Sequence, residues 1–343
     1  MNSRTSIPAG PEGARPGGSA RSARLLPESG RARLAGAAVF LITVGAALSV
    51  VPSLPASATT QTNCAAVPSA CGYPDATNTG VLAGTTLKRV PSQVSRGRGW
   101  HYDPRGFVEV NGDGAVLRGL YIRRNLDITA SNVTINNVKV VNSGQSSFGI
   151  SLRHTRNVTI QNSTISGLNA DSGRLMVGVK DVYGDASGTV VKNNDIYFTS
   201  TGVQLSAGLI QDNYIHDPGL IPGDHVNGTT SNGGTNPLTI QHNTIFNNLH
   251  QCDAISLFQD FGPQGNRLIT DNLLAGGGYT IYAGGRAGAP PPFNIVITNN
   301  KISNLYFATG GYYGPVAYWV SGNGNVWSGN TWDATGLTTP APN

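Results

Sequence analysis

Three cysteines and two methionines stand in 343 residues, and only 12% of the chain is charged. So few cysteines exclude a disulfide-dense scaffold. After residue 58 no apolar pattern repeats every 3.6 residues, which excludes helical bundles and helix-covered parallel sheets. The six histidines include no His-x-His or His-x-x-x-His pair, so linear spacing gives little support to a histidine metal site. Long hydrophobic runs are missing with one exception.

The exception is LAGAAVFLITVGAALSVV, residues 34–51, which follows six arginines and ends near Ala56-Ser57-Ala58. A basic segment, an apolar segment and a small-residue site read as a secretory signal peptide over 1–58. The alternative is a membrane anchor. The expected mature chain is extracellular, monomeric and not inserted in a membrane. It holds 17 basic against 16 acidic residues, a net charge of +1. Residues 88–192 carry +7 and residues 193–343 carry −5, a split that suits either a polyanion against the first half or a solvated surface. No nucleic-acid partner is expected. Cys64 and Cys71 are placed to close a small disulfide loop, which leaves Cys252 over, either reactive or simply buried.

What the chain has in abundance is one short phrase. NVTINNVKV (132–140) returns as NVTIQNSTI (157–165), VVKNNDI (190–196), LIQDNYI (209–215), LTIQHNTI (238–245), LITDNLL (268–274) and IVITNNKI (295–302). Its anchors are Leu117, Ile135, Ile160, Val191, Ile210, Ile240, Ile269, Ile297 and Trp327, spaced by 18 to 31 residues. Short β-branched strands split by Asn corners indicate an all-β chain, a right-handed parallel β-helix of eight to ten coils. Propeller blades repeat over longer stretches, and sandwich strands have no reason to share one corner residue. Asn194, Asn213, Asn243, Asn272 and Asn300 are expected at that corner, in left-handed conformation and bonded along the column. The expected divisions are a leader (1–58), an N-terminal cap (59–106), the solenoid (107–335) and a flexible tail (336–343).

A second strand aligns once per coil: FGISL (148–152), VGVKD (177–181), TGVQL (201–205), DHVNG (224–228), DAISL (253–257) and YTIYA (279–283). With Ile150, Val179, Val203, Val226, Ile255 and Ile281 facing inward, alternation sends their neighbours outward. The outward column is then Ser151, Lys180, Gln204, Asn227, Ser256 and Tyr282, flanked by a small-residue track at Gly149, Gly178, Gly202, His225, Ala254 and Thr280. Asp224 and Asp253 fall in one column a coil apart, near His225 and His250. Paired carboxylates serve as acid and base in glycoside hydrolysis or hold Ca²⁺ for an acidic sugar, with Lys180 or His225 taking a proton. Otherwise each Asp caps a bend. Candidate catalytic residues are Asp253, Asp224, His225 and Lys180. Candidate substrate contacts are Gln204, Asn227, His250, Ser256 and Tyr282. Tyr312, Tyr313, Tyr318 and Trp319 either stack on sugar rings or close the core's end.

The Asn-cornered repeat, the leader and the DHVNG and QCDAIS stretches resemble the right-handed parallel β-helix proteins of the pectin-lyase-like superfamily over about 75–335. The resemblance implies a sugar chain bound along an outward strand face. QCDAIS looks like the N-T-D-G strand of polygalacturonase-type hydrolases, which implies a catalytic Asp253. Gly223-Asp224-His225 echoes their paired-aspartate motif only in part, and their G-H-G and R-I-K motifs are missing. The expected function is cleavage of a uronate-containing polysaccharide by β-elimination, with Ca²⁺ as the possible cofactor. Hydrolysis by the Asp224/Asp253 pair and non-catalytic glycan binding are the alternatives.

Overall fold

The computed structural model describes residues 63–340; the leader and residues 341–343 lie outside the described residues. The chain winds into a right-handed parallel β-solenoid of about nine turns. Three sheets run its length: an eleven-stranded front sheet, a nine-stranded flank sheet and a ten-stranded rear sheet. One coil passes through Gly144–Leu152 (front), Thr159–Gln161 (flank) and Thr164–Ser166 (rear). Among the described residues the only helical element is the 3₁₀ turn Pro68–Cys71.

All nine flank anchors stack on one another in register, from Leu117 against Ile135 to Ile297 against Trp327. A second column on the rear sheet runs through Val140, Ile165, Ile196, Ile215 and Ile245. Both fill one continuous apolar core. A β-branched residue suits each place because it packs on the pleated surface of the coils above and below.

Two neighbouring columns divide the corner's work. Asn137, Asn162, Asn193, Asp212, His242, Asp271 and Asn299 adopt positive φ of 49–59° and turn the chain. The next residue in each coil forms the ladder. Asn213 N donates to Asn243 Oδ1 (2.9 Å), Asn243 N to Asn272 Oδ1 (2.9 Å) and Asn272 N to Asn300 Oδ1 (3.0 Å). Asn194, Asn213, Asn243, Asn272 and Asn300 are thus the ladder, while the left-handed turn belongs to the residue before each. Ladder asparagines are fully buried, and their Nδ2 groups donate to strand carbonyls of the neighbouring coil, such as Ile210 O.

The N-terminal segment does more than cap the first coil. Its Cys64 and Ala65 N–H groups donate to Asp333 beside the last rear strand. Tyr73 Oη bonds Asp271 (3.1 Å), Gly80 N bonds Asn193 O (3.1 Å), and Leu82 N bonds Asn137 Oδ1 (2.9 Å). Lys88–Val90 then pairs with Leu120–Ile122 in the first coil. Residues 64–90 therefore form a strap along the Asn corner from one end of the solenoid to the other. The Cys64–Cys71 disulfide is formed at the strap's outer end. Residues 336–340, expected as part of a flexible tail, fold back on the last coil. Thr338 bridges Thr331, and Thr339 O accepts from Trp327 Nε1 (3.0 Å).

Candidate functional site

The front sheet carries one column of side chains from end to end: His101, Glu109, Asp127, Ser151, Lys180, Gln204, Thr230, Ser256, Tyr282 and Ala317 are successive register partners. Rungs lie about 4.8 Å apart. Lys180, Gln204, Ser256 and Tyr282 occupy the places expected of them. Asn227 does not, because Thr230 takes that rung.

The cause is a three-residue error in register. The strand of that coil is Asn227–Ser231, not 224–228, so Thr229 rather than Val226 stacks between Val203 and Ile255. Asn227 becomes the partner of Asp253. Asp224 falls in the preceding loop, and its carboxylate is committed there. Arg174 Nε and Nη2 grip its two oxygens (2.6 and 2.7 Å), while Ser200 Oγ and Ile221 N also donate to it. Burial pushes the Asp224 carboxyl up, but the bonds from Arg174, Ser200 and Ile221 outweigh it and hold it below its ordinary range. The expected Asp224/Asp253 pair, and the Ca²⁺ it was to share, have no common face.

Asp253 is 0% exposed, and neither carboxyl oxygen has a hydrogen-bond partner. Burial drives its pKa well above the ordinary carboxylate value. An isolated carboxylate costs several kcal/mol to bury, so this side chain is held as the neutral acid. Its main chain is firmly tied, with its carbonyl accepting from Asn247 Nδ2 (3.0 Å).

The small-residue column is also not an open outward track. Strand pairing skips Gly149, Gly178, Gly202 and Gly228, and these residues lie against the rear-sheet isoleucines. A Cβ on Gly202 would come within 2.5 Å of the Gly228 carbonyl oxygen and 2.6 Å of Ile215 Cγ2. Glycine is needed there for close stacking. His225, expected in this column, stands instead in the loop, with Nδ1 3.5 Å from Cys252 Sγ.

Two recesses open beside the outward column between Lys180 and Tyr282. The larger, of about 620 Å³, is walled by Leu220–Asp224, Leu249–Cys252, Gly278, Tyr282 and Tyr313. His250 lines it and packs near Tyr312 (5.6 Å between rings). Its mouth is aromatic: Tyr282 contacts Phe258, Tyr279 and Tyr318, and Tyr279 contacts Tyr313 (5.4–5.7 Å). Tyr313 is 65% exposed. Trp319 is no part of this group, since it packs on Trp327 at the core's end. Burial pushes the Cys252 thiol up to about 12, so it rests as a thiol.

The second recess, of about 430 Å³, is lined by Lys180, Gln204, Tyr183, Asn232 and Phe261 among others. Lys180 Nζ donates to Gln204 Oε1. Burial lowers the Lys180 pKa against a smaller opposing pull from Asp181. Phe261 is 86% exposed at its edge. Three rungs separate Gln204 from Tyr282, roughly 14 Å at this spacing. Between them Thr230 and Ser256 are buried. Ser256, an expected substrate contact, bonds Asn227 Oδ1 and Thr229 O (3.3 Å each). Asn227 is itself nearly buried.

The site therefore collects Tyr282 and His250 around the larger recess, with His225 behind its Cys252 wall, and Lys180 and Gln204 around the smaller. Phe258, Tyr183 and Phe261 were not singled out from the sequence, since lone aromatics in loops carry no periodic signal, and Tyr279 lay in the aligned strand without being marked as a contact. Residues 108–259 match the family model of the right-handed beta helix region. No curated protein matches the chain.

Proposed function

We propose that the chain is an exported saccharide-binding protein that holds an extended polysaccharide along the outer face of the front sheet. The observation that carries this reading is the column of register partners that reaches the half-buried Tyr282 at the 620 Å³ recess, with the exposed Tyr313 and Tyr318 beside it. Flat aromatic rings pack on the apolar faces of sugar rings, while polar neighbours fix orientation. Lys180 and the +7 charge of residues 88–192 favour an acidic, uronate-containing chain. Export rests on the basic and apolar leader of residues 1–58.

A second reading adds cleavage by β-elimination. The observation favouring it is the lowered pKa of Lys180, which brings an amine base closer to neutrality. In that reading Lys180 removes the proton α to a uronate carboxylate, the C=C bond forms as the β C–O bond breaks, and the glycosidic oxygen leaves with the remaining chain, while His250 lines the neighbouring recess. Asp224 and Asp253 take no part, so hydrolysis by that pair and calcium held between them drop out.

A panel of neutral and uronate polysaccharides tests both. Binding that falls about tenfold in Tyr313→Ala, a loss of about 1.4 kcal/mol, supports the first reading. Binding untouched by Tyr313→Ala and Tyr282→Ala removes it. Ultraviolet absorbance from an unsaturated product, lost in Lys180→Met, marks the lyase. Binding without product leaves the chain a non-catalytic binder.

A further inference from the structure

At its first rungs the outward column changes character. Trp100–Asp103 and Phe107–Val110 form an antiparallel pair whose Trp100, Val108 and Val110 face the core. Alternation sends His101, Asp103 and Glu109 to the outer face. His101 lies directly opposite Glu109, with Nε2 3.4 Å from Oε2. One donor atom each from His101, Asp103 and Glu109 can be chosen so that all three lie within 4.8 Å of one another, the one such group among the described residues.

We propose that His101, Asp103 and Glu109 form a binding site for a divalent transition metal of the zinc class. One imidazole and two carboxylates are the donor types such ions take, at about 2.0–2.2 Å, which puts neighbouring donors in a tetrahedral shell about 3.4 Å apart. The His101–Glu109 separation matches that edge. Asp103 is held in place from behind: Arg105 Nε and N donate to Oδ1 (2.9 and 2.8 Å) and Nη2 to Oδ2 (2.9 Å). Oδ2 accepts this one bond, and a carboxylate oxygen has two lone-pair directions, so one stays available. Arg105 meanwhile packs over the Phe107 ring, 4.8 Å from its centroid. Its role is that of an outer partner that fixes a ligand's orientation. Asp127, the next rung after Glu109, is already engaged by Arg153 Nε (2.7 Å). His101 and Glu109 are partly exposed to solvent, and Asp103 is buried. The imidazole makes the site selective against calcium, which prefers six to eight oxygens.

The proposal is independent of the saccharide reading, because metal binding is read without sugar. The test is calorimetric titration of the metal-stripped full chain with zinc at neutral pH. One saturable site per chain is expected, weakened at least tenfold in His101→Ala and in Glu109→Gln, unchanged in His154→Ala and not displaced by excess calcium. Cobalt(II) titrated into the unmutated chain gives a visible absorption of low-coordinate type that zinc abolishes, which secures the result even if a variant folds poorly. Absence of saturable binding, binding indifferent to His101→Ala in a folded variant, or equal competition by calcium overturns the proposal.

Discussion

Asn227 and Asp253 are register partners in the front sheet, and the neutral amide lies against a carboxyl group that nothing bonds. A second carboxylate in place of Asn227 would have set two like charges one rung apart. The actual pairing lets Asp253 stay protonated and dry.

Asp253→Asn should therefore raise stability at neutral pH. The folded-state pKa of Asp253 is raised by burial, so the folded protein retains a proton that the unfolded chain releases above about pH 3.9. Stability contributed by this group is full below that pH and is lost as pH rises toward the folded value. Melting curves from pH 4 to 8 should show the variant gaining on the unmutated protein as pH increases. A constant difference would mean that Asp253 is ionised in the fold.

Arg174 and Asp224 tie the loop before Leu175 to the Leu220–Asp224 loop, which walls the larger recess. Arg174 is 2% exposed and also donates to Gly144 O (2.7 Å). Removing one member of a buried pair strands the other, at about 3–5 kcal/mol. Arg174→Ala should cost that much in denaturant unfolding. Asp224→Asn keeps a shape close to the original and should also destabilise the protein, in contrast to the unchanged stability expected if the aspartate served only catalysis.

Asn243 accepts from Asn213 N and Nδ2 and donates to Ile210 O, Gln241 O and Asn272 Oδ1. Asn243→Ala leaves buried donors and acceptors unmatched, each worth about 1–3 kcal/mol. A loss of at least ~3 kcal/mol is expected. Asn304, exposed and with ordinary φ, gives the contrasting case, and its alanine variant should change stability little.

His216 provides a second pH dependence of the same sign. Burial disfavours its charged form, but Asp195 (2.9 Å) and Asp217 (2.8 Å) outweigh burial and raise its pKa. The imidazolium also stacks on Tyr214. Its stabilisation is complete below about pH 6.5, the unfolded value, and fades as pH climbs through the folded one. His216→Gln should lower the melting temperature at pH 5.5 and flatten its fall toward pH 8.5.

The flank and rear columns were legible because nearly every coil places a β-branched residue in the core and the later coils place Asn at the corner. The front sheet failed at one coil for a definite reason. Thr229 fills the inward place where every neighbour has Val or Ile, while Val226, three residues earlier, is buried just outside the strand. The apolar signal therefore marked the wrong residue, and Asp224 was carried into the column with it. The His101–Glu109 pairing was invisible for another reason. It forms across an antiparallel turn at the solenoid's start, where no repeat unit exists to align.

The strap has a consequence for how the molecule comes apart. A stack of coils held only by nearest neighbours frays from its termini, one layer at a time. Here Asp333, beside the final rear strand, grips the backbone of Cys64 and Ala65, and Lys88 is paired in the opening coil. Peeling either extremity must first tear a segment that is also moored at the other, so the linear array behaves as a buckled belt and resists stepwise unwinding.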